Sequence, residues 1–342
     1  MKSSARLGIV LGRFGQALPA LFGVIVITFI LTRAMPGDPA VFFAGPAADA
    51  ESIQQIREAL GLDRPLWEQF AFYLRDLASG NLGISLSTGQ PVRDELLRRL
   101  PASLELTLGA LLLSLAIAIP MGLLAATNPG RPIDHLCRVI ATAGVSLPTF
   151  FTGIALVFLF YYLFGWAPAP IGRLDFAYLS PPPVTGFYTI DALLDGDLET
   201  ARAAAGQLIL PMITLALFTL APIARMTRGA MLQALGSDFI RTARAAGLSR
   251  RVILMRYAFR NAMLPVITTL GMVFSFTLGA NVLVEKVFAW PGIGSFAVDA
   301  LVVSDYAAVQ GFVLTMAILF VLLNLVIDIA YTLIDPRIRA DD

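Results

Sequence analysis

The chain holds one cysteine, Cys137, one histidine, His135, and two lysines, Lys2 and Lys286, in 342 residues. One cysteine closes no intrachain disulfide and builds no thiolate metal cluster. One histidine excludes a two-histidine metal site, the helical zinc-protease motif included. Neither lysine stands in a G-x-x-x-x-G-K setting, so the chain has no P-loop of its own for nucleotide phosphates. No metal and no cofactor is therefore expected in this polypeptide. Charge is scarce as well: 14% of residues are charged and 57% hydrophobic, where a soluble domain carries about 25% charged residues. Such a chain has lipid as its main solvent. A net charge of +1 creates no bulk field toward nucleic acid, and none is expected as a partner.

What is present is a set of long apolar runs. A spanning helix needs about 20 apolar residues, each rising 1.5 Å against a hydrocarbon layer of roughly 30 Å. Six charge-free runs meet or approach that length: Phe14–Thr32, Leu106–Gly130, Val139–Gly172, Ala203–Ala224, Asn261–Val284 and Tyr306–Ile327. They predict an all-α integral membrane protein with six transmembrane helices. Buried helices of a large soluble protein would need polar faces to cover the outside. A cleaved signal peptide has an apolar stretch of only about 7–15 residues, so Phe14–Thr32 reads as a retained first helix.

Arginine placement sets the orientation, because short cytoplasmic loops accumulate Lys and Arg. Residues 225–260 carry eight arginines, from Arg225 to Arg260, against the single acid Asp238. The preceding loop is acidic, with Asp175, Asp191, Asp195, Asp197 and Glu199, and so is the loop after the fifth run. The arginine segment therefore faces the cytoplasm, as do both termini. His135 and Cys137 fall in the inner loop before the third span.

Pro19, Pro120, Pro148, Pro211 and Pro265 each lie in or beside a different run. Proline removes a helix hydrogen bond, tolerated in lipid where neighbours satisfy the freed group. Glycines such as Gly109, Gly122, Gly144 and Gly271 let helices approach closely. Packing around a pathway and ordinary bundle packing both fit. The runs themselves lack ionisable residues, which ion-coupled carriers keep near the midplane. Asp328 comes nearest, toward the inner end of the sixth run, where pairing or helix–helix hydrogen bonding is expected of it. Energy for any transport has to come from elsewhere.

Between the first two runs, residues 36–101 form an outer helical cap. Ile53, Ile56 and Leu60 make one apolar stripe, and Leu66, Phe70, Tyr73, Leu74 and Leu77 a second. Pro65 opens the second helix and Ser79–Asn81 end it. A third short helix after Pro91 carries Val92, Leu96, Leu97 and Leu100. In the arginine segment Ser237 is the expected N-cap of a helix that ends at Gly247. Ser249 caps a second helix that leads to Leu264 and Pro265. The first of these helices suits either a lipid surface or a groove on a cytoplasmic protein.

Motifs along nearly the whole chain resemble the permeases of ABC importers, specifically the B-type first permease of the dipeptide and oligopeptide branch. They are "MPGDP" at Met35, "LGLDRPLWEQ" at Leu60, "GNLGIS" at Gly80, "VTGF" at Val184, "ARMTRGAML" at Ala224, "FAWPGIG" at Phe288 and "DPRIR" at Asp335. The inner loop fits too, with Ala243, Ala245, Ala246 and Gly247, then Leu264 and Pro265. The general pattern has Glu before two alanines where this chain has Arg241, Thr242 and Ala243, a variation shared by the peptide branch. The resemblance implies a type I ABC-importer permease fold in the bacterial inner membrane. It divides the chain into 1–35 with the first span, the 36–101 cap, and a 102–342 core that includes the 225–260 coupling loop.

It also implies that Arg241, Ala243, Arg244, Ala245, Ala246, Gly247, Leu248 and Arg250 dock an ATPase. Two cytoplasmic ATPase subunits would bind ATP and magnesium, a second related permease would complete the pathway, and an extracytoplasmic substrate-binding protein would deliver di- or oligopeptide. The same role with nickel, glutathione or haem as cargo is the neighbouring reading, and an ion-coupled secondary transporter a remote one. Thr185, Asp191, Asp195 and Asp197 are candidate contacts for the delivery protein or for peptide amines; acids obeying charge topology is the plain alternative.

Overall fold

The structure, a computed structural model, describes residues 18–31, 33, 39–45, 48–59 and 61–334. Among these residues the regular elements are helical, with one isolated β-bridge between Ile84 and Pro91. In chain order they are α1 (Leu18–Leu31), α2 (Pro39–Ala44), α3 (Ala50–Ala59), α4 (Leu66–Ala78), α5 (Val92–Thr127), α6 (Pro132–Ser146) and α7 (Thr149–Leu163). There follow α8 (Tyr188–Leu194), α9 (Leu198–Leu235), α10 (Asp238–Ala245), α11 (Arg250–Val287), α12 (Ile293–Val302) and α13 (Tyr306–Ile334).

Among the described residues four helices are long and apolar enough to cross a membrane: α5, α9, α11 and α13 as far as Ile327. The third expected span is not one rod. It is the pair α6 and α7, bent by 99° at Leu147 and Pro148. Pro148 pushes the residue before it out of the helical region, and Leu147 is accordingly extended at φ −112°, ψ 145°. His135 and Cys137, expected in a loop, sit in the opening turns of α6. The first expected span is represented by α1, since residues 14–17 and 32 lie outside the described residues.

Two other expected breaks are absent. The short helix after Pro91 and the second span are one continuous helix, α5, which runs through Pro101. One missing backbone bond does not end a helix whose side chains are held on both flanks of the proline: Val92 and Leu96 are buried before it, Ala102 and Leu106 after it. Pro265 likewise lies inside α11 rather than at its start.

The chain divides into two compact units, one drawn from Met1–Pro101 and Gly292–Leu322, the other from Ala102–Pro291 and Leu323–Asp342. In the first, Phe29 of α1 meets Phe70 and Tyr73 of α4 at ring separations of 5.1 and 5.8 Å. Arg33 Nε donates to Gln69 Oε1 at 2.9 Å. Val92 and Leu96 pack with Ile293, Phe296, Ala300 and Ala308. Buried Asp305 accepts from Ser85 Oγ at 2.7 Å and from the Ala308 amide at 3.1 Å, which starts α13.

In the second unit α9 is the central helix, packed by α6, α7, α8 and α11. The packing is close because small residues face it. A Cβ on Gly144 of α6 would collide with the Leu217 carbonyl oxygen, and one on Gly122 of α5 would lie 2.7 Å from Thr227 Cβ. Ser114 donates to the Ala216 carbonyl at 2.8 Å and lies 2.5 Å from Thr219 Oγ1. Hydroxyls thus satisfy backbone groups in the middle of the apolar core.

Candidate functional site

α9 ends at Gly236, and Ser237 turns the chain at φ −76°, ψ 157°. Ser237 is the N-cap by position, but its hydroxyl donates back to the Ala234 carbonyl at 2.5 Å instead of accepting from α10. Asp238 in the first turn and Arg244 in the last complement the helix dipole. Gly247, at φ +77°, closes α10 in the left-handed conformation that glycine adopts without a Cβ penalty. The Gly247 amide donates to Arg244 O at 3.0 Å and the Leu248 amide to Ala243 O at 3.2 Å, the paired bonds of a Schellman C-cap.

Burial divides α10 into two faces. Ile240 and Ala243 pack with Met231, Ala234, Ile253, Ala258 and Ala262. Arg241, Arg244, Ala245, Ala246, Gly247, Leu248 and Arg250 are exposed, and Arg241 pairs with Asp238. One of the eight expected docking residues, Ala243, therefore anchors the helix while the other seven form its open surface. Beside them lies a cavity of about 680 Å³ whose lining includes Arg244, Leu248, Arg250, Leu232, Leu235 and Leu254. Ser249 accepts from the Val252 amide at 3.4 Å, and α11 begins there.

Several buried acids tie distant segments together, Asp134, Glu105 and Glu285 among them. Asp134, at the start of α6, takes a two-pronged pair from Arg228 of α9 at 2.7 and 2.8 Å and a bond from the Gly130 amide at 2.9 Å. The turn between α5 and α6 is thereby fixed to the helix that leads into α10. Glu105 of α5 accepts from Arg173 at 2.6 Å and from the Thr189 amide and hydroxyl at 3.0 and 2.5 Å. Arg173, whose guanidinium lies 3.7 Å from the centre of the Tyr188 ring, also donates to Gly186 O at 2.6 Å. Glu285 is fully buried two residues before the end of α11, and accepts from Ser103 Oγ at 2.5 Å and Asn281 Nδ2 at 3.0 Å. Glu105 and Glu285 each border a charge-free run, and a window that stops at the first charge assigns them to loops.

The outer loop is held by the same chemistry. Asp191 is only 1% exposed and accepts from the amides of Val184, Thr185 and Gly186 and from the Thr185 hydroxyl. Burial pushes its carboxyl upward, but those four bonds outweigh it and hold the group below the usual carboxylate range. Asp197 caps α9 by accepting from the Thr200 amide and hydroxyl at 2.9 and 2.6 Å, and the Thr200 bonds hold its carboxyl low. Thr185, Asp195 and Asp197 are exposed, whereas Asp191 is inside the loop. Phe176 and Leu179, 91% and 89% exposed, stand out from it.

Apolar helices packed on α9, with the exposed helix α10 between α9 and α11, define a membrane component that carries a charged element beyond its apolar spans. The chain belongs to the family of binding-protein-dependent transport system inner membrane components, whose model matches residues 118–340, with the N-terminal model of such components matching residues 7–107. It is 48% identical to the "Probable D,D-dipeptide transport system permease protein DdpB" of Escherichia coli K12, over 92% of this chain and 93% of that one. It is 43% identical to the di/tripeptide transport system permease protein DppB of Pseudomonas aeruginosa, over 96% and 97%. With the glutathione transport system permease protein GsiC of E. coli it shares 36%, over 97% and 99%. The chain is thus a transport subunit of the inner membrane, not an enzyme, and works with a substrate-binding protein and ATPase subunits.

Proposed function

We propose that this chain is the first permease subunit of an ATP-driven importer of di- and oligopeptides. The observation that carries the reading is similarity over nearly the full length to permeases whose names specify dipeptide and di/tripeptide transport. A second related permease completes the pathway, two cytoplasmic ATPases bind ATP and magnesium, and an extracytoplasmic protein delivers the peptide. The exposed face of α10, with Arg244, Gly247, Leu248 and Arg250, is the ATPase contact. Ile240 and Ala243 anchor that face to the ends of α9 and α11, so a push on α10 reaches two spans at once. On the other side, the loop held by Arg173 and Asp191 presents Thr185, Asp195 and Asp197 to the delivery protein.

The test uses the complete transporter in vesicles with its delivery protein and labelled dipeptide. ATP-dependent uptake of dipeptide, suppressed by excess unlabelled tripeptide, is expected. Uptake of glutathione with no competition from simple dipeptides would move the cargo toward the third relative's named substrate. In the same system Arg244→Glu with Arg250→Glu is expected to separate ATP hydrolysis from uptake, and unchanged transport would remove these arginines from the contact.

A further inference from the structure

The helix α11 departs from α geometry soon after it begins. Ile253–Ala258 form a π-helical segment between Arg250–Val252 and Phe259–Val287. In a π-helix the backbone bonds run five residues apart and each turn is wider, so residues five apart come toward one side, whereas in an α-helix it is residues four apart that are neighbours. The burial pattern follows this spacing. Ile253, Ala258 and Ala262, separated by five and then four positions, are all buried in one cluster. Arg251, Arg256 and Arg260 have the same separations, and all three are exposed. The π turn therefore collects three arginines into a row that an uninterrupted α-helix would scatter.

The row is also placed at a particular depth. Arg260 directly precedes the charge-free run Asn261–Val284, which needs lipid around it. Arg256 stands about 6 Å further out along the helix, and the headgroup layer on each side of a bilayer is roughly 5–8 Å thick. Exposed Met255 and Tyr257 lie between the arginines, and tyrosine favours the membrane–water boundary. Among the described residues no carboxylate pairs with Arg251, Arg256 or Arg260; the nearby acids Asp134 and Asp238 pair with other arginines.

We propose that this row is a binding site for anionic phospholipid: the π turn at the head of α11 aligns Arg251, Arg256 and Arg260 to hold headgroup phosphates of the cytoplasmic leaflet. Guanidinium suits that ligand because its planar fork gives paired hydrogen bonds to phosphate oxygens. A soluble subunit approaching from water meets α10 and Arg250 first; Arg256 and Arg260 lie at the level of the lipid. The inference rests on α11 spanning the membrane with its arginine end inside, and is independent of the cargo.

The complete transporter is purified into nanodiscs of phosphatidylcholine mixed with phosphatidylglycerol, and retained lipid is identified by native mass spectrometry. Preferential retention of phosphatidylglycerol is expected. It should fall about fivefold for each arginine neutralised in Arg256→Gln and Arg260→Gln, with the thermal midpoint of the complex unchanged. Arg256→Lys with Arg260→Lys, which keeps the charge but loses the fork, should retain an intermediate preference. Phosphatidylglycerol retention equal to wild type in the double glutamine variant would overturn the proposal. So would loss of ATPase subunits from that variant with lipid retention intact, which would make the row a protein contact.

Discussion

Asp134 and Arg228 are 94 positions apart in the chain, yet they make a two-pronged ion pair. Asp134 also has Arg138 at 3.8 Å, but Arg138 is half exposed and the contact is long. Removing one partner of a buried, hydrogen-bonded pair leaves a charge without compensation, while losing an exposed neighbour costs little. Arg228→Ala is therefore expected to lower the thermal midpoint of the purified transporter by several degrees, and Arg138→Ala to leave it within error. Equal effects would show that the pair does not hold the turn between α5 and α6. Asp191 is the corresponding residue of the loop before α9. Its folded carboxyl titrates below the unfolded value of about 3.9, so its contribution is complete above that value and disappears as pH falls through the lower, folded one. Hydrogen exchange of residues 184–186, corrected for intrinsic rate, should be flat from neutral pH to about pH 5. Asp191→Asn should accelerate it at every pH.

At the scale of the element, the exposed helix α10 is defined by its ends. Gly247→Val forces a branched side chain into the left-handed region at about 1–2 kcal/mol and breaks the Schellman closure of α10. The expected outcome is an assembled complex whose ATP hydrolysis no longer responds to delivery protein and peptide, read as the ratio of stimulated to basal activity. A wild-type ratio would mean that the turn at Gly247 transmits nothing. Much of this segment was legible in the sequence, because its controls are local: Asp238 and Gly247 mark the bounds of α10 through chemistry within one turn, while Ser237 holds the N-cap position with its hydroxyl turned back to Ala234. The π turn was not legible, since it reflects how Ile253, Ala258 and Ala262 meet a core built from α5 and α9. Three prolines misled in opposite directions for one reason. Pro148 follows an extended Leu147 and bends the chain, whereas Pro101 and Pro265 sit between flanks already fixed by packing, and proline by itself does not tell these cases apart. Buried acids were invisible because their partners, Arg228, Arg173 and Ser103, lie far away in sequence.

For the molecule as a whole, ATPase subunits supply the energy, and Glu285 is the residue that tests whether an ion contributes beside them. A carboxyl inside a spanning helix is the group an ion-coupled carrier would use, and the charge-free run in the sequence stops one residue short of it. Its surroundings argue for a fixed role. Ser103 and Asn281 donate to it, Asn281 also reaches Thr107 Oγ1 at 3.2 Å, and Trp290 Nε1 donates to the Ala102 carbonyl at 2.9 Å. The end of α11 is thereby fastened to α5. The 38 residues of α11 span about 57 Å at α-helical rise, so this fastening lies at the far end of the rod whose other end follows α10. Glu285→Gln keeps both acceptor and shape while abolishing the charge change, and Glu285→Ala removes the acceptor that the Ser103 and Asn281 side chains share. If ATP drives transport through α10 and Glu285 is a fastener, the glutamine variant keeps most of the uptake, the alanine variant loses thermal stability along with it, and a protonophore affects neither. If Glu285 carries a proton with the cargo, glutamine and alanine abolish uptake alike, and the protonophore abolishes it in wild type while ATP hydrolysis continues.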